Sequence, residues 1–400
     1  MSSFAGVVES AFLRGEAAVT TEKNELTAVS AFDTAAIPYA DITAFEARDW
    51  AVHIQTDHGP VKIARLGREW EHLYEKLYAA YNKKVLSALF VEGGPLLETE
   101  GEYRAEENGR VLSGRAVLQI YDNCVCVLPP DENARRIPLC FLDDMRQAGF
   151  ELTLTLDTGE RCGFIRLGRV TDPFEACVTR QLHKMREKTL AVVQQLDPSL
   201  PAMQAAAVAK RLPEGVAAPL GQLEAIAPSF AAAVEGKIRE SRAAGSYEIF
   251  RELCDPAQIC VGLKKQFARG SGGAEGGGVS DAAENGGPTE ELMLWMIAPG
   301  KNGRTAAVEF GEADAATFLY SFACGWEAFR QSLNRALEAI AFRREGIRLR
   351  DEELLLPQYD TYKMAARRNA ALQFVRGCFA GRVIHATPES WRREVEKHLG

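Results

Sequence analysis

The chain has 400 residues, 46% of them hydrophobic and 26% charged, an ordinary globular composition that argues against disorder, collagen and coiled coil. Its net charge of −8 hides a split: residues 330–400 hold 14 Lys and Arg against 9 Asp and Glu, net +5, so residues 1–329 carry net −13. Such a split implies either an anionic partner for the basic end or a basic end that docks on its own acidic body.

The first residues lack a basic n-region, and Glu9 interrupts the apolar run, so the start does not read as a secretory signal. The longest uncharged apolar stretch, Ala315 to Trp326, is shorter than the about twenty residues a membrane-spanning helix needs. The nine cysteines are odd in number and form no CxxC, which favours reduced thiols and a cytoplasmic location.

A duplication dominates the first half. Ile37-Pro38, Trp50 to Gly59 and Ile63-Ala-Arg-Leu66-Gly67-Arg68 recur as Ile137-Pro138, Phe150 to Gly159 and Phe164-Ile-Arg-Leu167-Gly168-Arg169, offset by 100 before the glycine turn and 101 after it. An indel inside a hairpin explains the change. Val52, Ile54 and Thr56, like Leu152, Leu154 and Leu156, alternate with polar neighbours at strand period. Asp57-His58-Gly59 and Asp157-Thr158-Gly159 read as the turns that follow. Each copy then changes to helical period, over Trp70, Leu73, Tyr74, Leu77, Tyr78 and Tyr81, and over Phe174, Cys177, Val178, Leu182 and Met185. Asp172 before Pro173 predicts the N-cap of the second helix.

Short strands closed by one amphipathic helix, repeated in two units of about one hundred residues each, resemble the pleckstrin-homology-like (PH-like) superfold from Met1 to about Leu196. The resemblance implies a bent antiparallel sheet capped by a helix and a binding role more often than a catalytic one. Lipid-binding versions place several basic residues in the first hairpin. Here Phe12-Leu-Arg-Gly-Glu-Ala and Leu112-Ser-Gly-Arg-Ala offer one arginine each, which argues against a lipid headgroup as ligand.

From Pro198 to Ala244 alanine-rich segments are broken by Pro201, Pro213, Pro219 and Pro228, predicting short helices. Strands are expected at Ile259–Leu263, Leu292–Ile297 and Thr305–Phe310, and Ala316–Phe322 fits strand or helix. A helical stripe follows at Trp326, Phe329, Leu333, Leu337 and Ile340. Gly270 to Pro288 contains eight glycines, yet matches neither GxxxxGK[ST] nor GxGxxG and reads as a surface loop. Tyr359 to Ala380 reads as one long basic helix, Gly381 to His385 as a break, and Thr387-Pro388 as the cap of a last helix with Trp391, Val395 and Leu399 on one face.

The expected architecture is therefore α+β: PH-like units at residues 1–86 and 87–197, a helical connector at 198–245, a third α+β unit at 246–345 whose strands and closing helix again suggest a PH-like unit, and a basic helical tail at 346–400. No strong catalytic, metal or cofactor motif is present. Cys124 and Cys126 on one strand face read as small core residues, and His53 and His58 as surface histidines. His385 stands out, since Arg376, Arg382 and Trp391 are close in sequence and a basic, aromatic pocket around it is conceivable; satisfying a helix end is the simpler role. Arg367, Arg368, Arg392 and Arg393 are candidates for binding phosphate, with solvated helix faces as the simpler reading. The resulting expectation is a non-catalytic binding or scaffold protein with a protein partner and no cofactor. An enzyme with its site between the third unit and the tail, or a nucleic-acid-associated protein, are the alternatives.

Overall fold

The computed structural model describes residues 3–107, 109–267, 290–311 and 316–400. The fold is α+β, with three antiparallel sheets and a largely helical C-terminal segment.

The first copy folds as β1 (Ser3–Glu9), β2 (Arg14–Thr21), β3 (Glu25–Val29), β4 (Thr34–Pro38), β5 (Ile42–Arg48), β6 (Ala51–Thr56) and β7 (Gly59–Ala64), followed by α1 (Trp70–Ala88). Its strand order is β4-β3-β2-β1-β7-β6-β5, two meanders joined through β1 and β7, where Val8 faces Ile63. The second copy has β8 (Leu97–Glu107), β9 (Arg110–Ile120), β10 (Cys124–Leu128), β11 (Arg135–Pro138), β12 (Leu142–Ala148), β13 (Glu151–Leu156), β14 (Arg161–Ile165) and α2 (Thr171–Leu196). Its order, β11-β10-β9-β8-β14-β13-β12, is the same. Curled antiparallel sheets of this order are compatible with a PH-like fold.

The alternation works as the sequence implies: Val52, Ile54, Leu152 and Leu154 are fully buried. On α1 the buried stripe runs through Leu73, Leu77, Tyr81 and Val85, with Trp70, Tyr74 and Tyr78 on its flank. Before each helix an arginine (Arg65, φ 58; Arg166, φ 62) takes a left-handed conformation, the next leucine is buried, and a glycine (Gly67, φ 61; Gly168, φ 58) makes a second left-handed step. The expected N-cap at Asp172 shifts: a 3-10 turn, Gly168–Val170, runs into α2 from Thr171. Asp172 thus lies in the first turn, where a carboxylate faces the positive helix end.

The copies are laced together. The β10–β11 connection runs along the edge of β5, with Phe45 N–H donating to Pro130 O at 2.9 Å and Glu132 N–H to Thr43 O at 2.8 Å. Tyr81 O–H donates to Asp131 O at 3.1 Å. Tyr121, Cys124, Cys126 and Leu128 consequently belong to the core that also holds Leu73, Leu77 and Val85.

The remaining elements are α3 (Ala202–Arg211), β15 (Ala218–Pro219), α4 (Leu220–Ile226), α5 (Pro228–Glu240), α6 (Ala244–Leu253), β16 (Cys260–Phe267), β17 (Glu290–Pro299), β18 (Thr305–Phe310), β19 (Ala316–Ser321), α7 (Trp326–Ala339), α8 (Glu345–Arg348), α9 (Asp360–Arg368), α10 (Ala370–Cys378), β20 (Phe379–Ile384) and α11 (Pro388–Leu399). The third sheet has the order β15-β16-β17-β18-β19-β20, and among the described residues its first and last strands are not joined to one another. The ambiguous Ala316–Phe322 segment is strand through Ser321. The glycine-rich segment Gly270 to Pro288 lies outside the described residues.

The expected single helix from Tyr359 to Ala380 is two. Asn369 is extended (φ −130, ψ 105), and its Oδ1 accepts from Leu372 N–H at 2.7 Å, starting α10 afresh. Phe379 and Ala380 then enter β20, so the expected break at Gly381 to His385 is mostly strand. Pairing with β19 supplies the hydrogen bonds that decide between the two states.

Two compact units emerge. One combines residues 1–182 with 335–374, the other 183–334 with 375–400, so the chain changes unit within α2, α7 and α10. In the second unit Trp391, Val395 and Leu399 bury the predicted stripe of α11 against a core that includes Phe250, Met296 and Ala307.

Candidate functional site

In the second unit, β18 and β19 place Glu309 and Thr317 on the sheet face that α11 covers. Both are buried, Glu309 to 2% exposure and Thr317 completely. The chain leaves the sheet after Ile384, and Thr387 caps α11 by accepting from Ser390 N–H at 3.3 Å, which turns Trp391 back over Thr317. Trp391 Nε1–H donates to Thr317 Oγ1 at 2.7 Å, and Thr317 O–H donates to Glu309 Oε2. His385 Nε2 lies 3.2 Å from the same carboxylate oxygen and 3.0 Å from Thr317 Oγ1, with its ring 5.1 Å from that of Trp391.

A buried carboxylate is costly unless hydrogen-bonded, and this one accepts the Thr317 hydroxyl and has an imidazole nitrogen within hydrogen-bond distance. The geometry is not that of an activated nucleophile. The one O–H of Thr317 already donates its hydrogen bond to Glu309, and a single ring nitrogen of His385 faces both acid and hydroxyl instead of bridging them through opposite nitrogens. Beside His385 the structure places the ring of Trp391 and the carboxylate of Glu309. Arg382 pairs in register with Phe318, the neighbour of Thr317, and strand alternation sends its side chain to the opposite face.

The other candidates divide between the units. Arg376, Arg382, Arg392 and Arg393 belong to the second unit with His385 and Trp391, whereas Arg367 and Arg368 belong to the first. Arg392 pairs with Glu252 at 2.6 Å, and Arg393 is exposed on α11. Of the eight, His385 and Trp391 are in direct contact.

In the first unit α9 is seated on an acidic corner of the first copy. Arg367 Nη2 reaches Asp57 Oδ2 at 2.7 Å and Oδ1 at 3.0 Å, and Lys363 Nζ reaches Asp41 at 2.5 Å and Asp57 at 3.0 Å. Arg368 donates to Tyr81 Oη at 2.6 Å with its guanidinium 5.8 Å from that ring. Burial pushes the Asp57 carboxyl up, but hydrogen bonds from Arg367 and then Lys363 outweigh it and hold the group below its ordinary value. For Lys363 burial works downward, and the two aspartates more than reverse it.

The second copy has the same corner with another cation. Arg335, in α7, reaches Asp157 at 2.9 Å and Glu160 at 2.6 Å and sits 5.5 Å from the ring of Phe141. Asp57 and Asp157 occupy equivalent turns, and positions 41 and 141 are equivalent too: Asp57 N–H donates to Asp41 O and Asp157 N–H to Phe141 O, both at 2.9 Å. These aspartates and Lys363 were not singled out in the sequence, although the duplicated Asp-x-Gly turn was visible there.

Cys124 and Cys126 are fully buried, as core residues would be. Arg136, the register partner of Cys126, donates to Glu338 Oε1 at 3.0 Å and to Glu338 O at 2.8 Å, with both side chains 5% exposed. A hydrogen bond from Cys126, with Arg136 nearby, holds the Cys124 thiol below its ordinary value, while burial pushes Cys126 up. Among the described residues no group of three His, Cys, Asp or Glu is arranged to hold a metal ion, and no helix is long and apolar enough to cross a membrane. No protein-family model and no curated protein matches the chain.

Proposed function

We propose that this chain is a non-catalytic binding or scaffold protein that acts through two tandem PH-like units, with other proteins as its partners. The observation that carries this reading is the repeated acidic corner. Asp57 and Asp157, at equivalent turns, each seat an arginine from a helix much later in the chain. Both copies thus receive an arginine from later polypeptide at the same turn. Their remaining surface offers aromatic anchors of the kind that dominate protein contacts. Trp50 is 73% exposed and Phe150 91%, each on the two-residue turn between the fifth and sixth strands of its copy. Trp50 is held there with φ 59, an unusual conformation for so bulky a residue.

Photo-crosslinking tests the proposal. A photoreactive amino acid is placed at position 50 or 150 of the full chain, with position 76 on α1 as control, and the protein is irradiated in lysate of its native cells. Discrete protein adducts from 50 and 150 but not 76 are expected. Adducts only to nucleic acid or lipid, or equal labelling from all three positions, would refute a protein-binding role for these turns.

A further inference from the structure

Among the described residues the three sheets present six edge strands, and five are blunted. β4 and β11 end in Pro38 and Pro138. β5 is covered by the Pro130–Glu132 segment, β12 carries Asp143, Asp144 and Arg146, and β15 is two residues long and ends in Pro219. Proline, charge, shortness and cover are the devices by which proteins prevent unwanted strand pairing.

β20 is different. It pairs with β19 on one side and, among the described residues, with no strand on the other. Its sequence, Phe-Ala-Gly-Arg-Val-Ile, has no proline and a single charge. A bulge at Ala380 disturbs its start, but Gly381 to Ile384 stay in regular register. Ala380, Arg382 and Ile384 are exposed and alternate with half-buried neighbours; Ile384 is 55% exposed, and Arg382 has no ion-pair partner among the described residues.

We propose that the free edge of β20 is a docking strand for an extended segment of a partner protein, with an acidic residue opposite Arg382 and an apolar residue two positions away beside Ile384. An unpaired row of backbone N–H and C=O groups is matched by extended backbone, which selects a strand over a helix or a proline-rich ligand. The two-residue spacing follows from strand period, which puts Arg382 and Ile384 on one face. Charge selects the acid. Size selects a peptide over a second copy of this chain: four regular residues cannot approach the about 1,000 Å² that a stable interface needs. The proposal rests on the protein-binding reading but uses a different surface, so crosslinking from the turns of the first unit can fail while this holds, and the reverse.

The test uses the full chain and three pools of labelled octapeptides: one with Asp or Glu two positions from Val or Ile, one with Lys replacing the acid, and the acidic pool N-methylated on alternate backbone nitrogens. The acidic pool should bind at least tenfold more tightly than the other two by fluorescence anisotropy, and should slow amide exchange across residues 380–384. Arg382→Glu should reverse the preference between acidic and basic pools, and Ile384→Asp should weaken both. Both side chains are exposed, so neither change disturbs the core. The proposal is overturned if no pool protects β20, if N-methylation or Arg382→Glu has no effect, or if β20 is protected without peptide by dimerisation.

Discussion

The two copies share a strand order and an acidic turn, yet each is tied to the second half of the chain differently. In the first copy Asp57 takes two cations, Lys363 and Arg367, and its side chain is 29% exposed. In the second copy Asp157 takes one, Arg335, and is 48% exposed, while Arg136 and Glu338 form a second tie nearly out of water. Duplication thus preserved the place where a cation is received without preserving the cation or the strength of the tie. Equivalent residues differ in worth because the solvent around them differs.

Removing the buried tie should have the largest effect. Glu338→Ala leaves Arg136 charged and unpaired in the core and should cost about 3–5 kcal/mol of stability. Urea unfolding of the full chain measures this, and a loss below about 1 kcal/mol would show that water or another group satisfies Arg136.

Asp57→Asn should cost less, about 1–2 kcal/mol, because its pairs are only partly buried. Its pH dependence identifies the source. A carboxyl held below its ordinary value of 3.8 adds stability that is fully present above that value and lost as pH falls through the lower folded value. The difference between native and Asp57→Asn proteins in thermal unfolding should therefore be constant near neutral pH and close in acid. A difference that persists at the lowest pH would mean that the substitution disturbs packing instead.

The smallest effect is expected from Asp157→Asn, about 0.5 kcal/mol or less, since its carboxylate is 48% exposed and Glu160 keeps its own bond to Arg335. Moderate salt should remove it, whereas the cost of Glu338→Ala should survive. Equal costs for the two aspartate changes would erase the distinction between the copies.

The duplication was legible in the sequence because period-two alternation and the Leu-Gly-Arg step are local signals, whereas the strand orders are seen only in the folded chain. The internal docking of the basic helices was legible only as a charge imbalance; that Lys363 and Arg367 converge on Asp57 depends on folding across more than three hundred residues. The His385 network was illegible for the same reason. Its acid and hydroxyl lie 76 and 68 residues away, and nothing near Glu309 distinguishes it from a surface carboxylate. The helix expected through Asn369 failed on a subtler point: helical period continues across it, but the asparagine side chain favours a new start over continuation.

The order in which the chain visits its two units bears on its synthesis. β19 is complete well before its neighbour β20, because α7, α8, α9 and α10 are made in between, and much of that stretch belongs to the other unit. A nascent chain on the ribosome therefore carries β19, with Phe318, Leu319 and Tyr320, as a temporarily bare sheet margin until β20 emerges to zip against it. That interval is when misassociation between neighbouring nascent chains is most favoured, and when a holding chaperone would have most to protect.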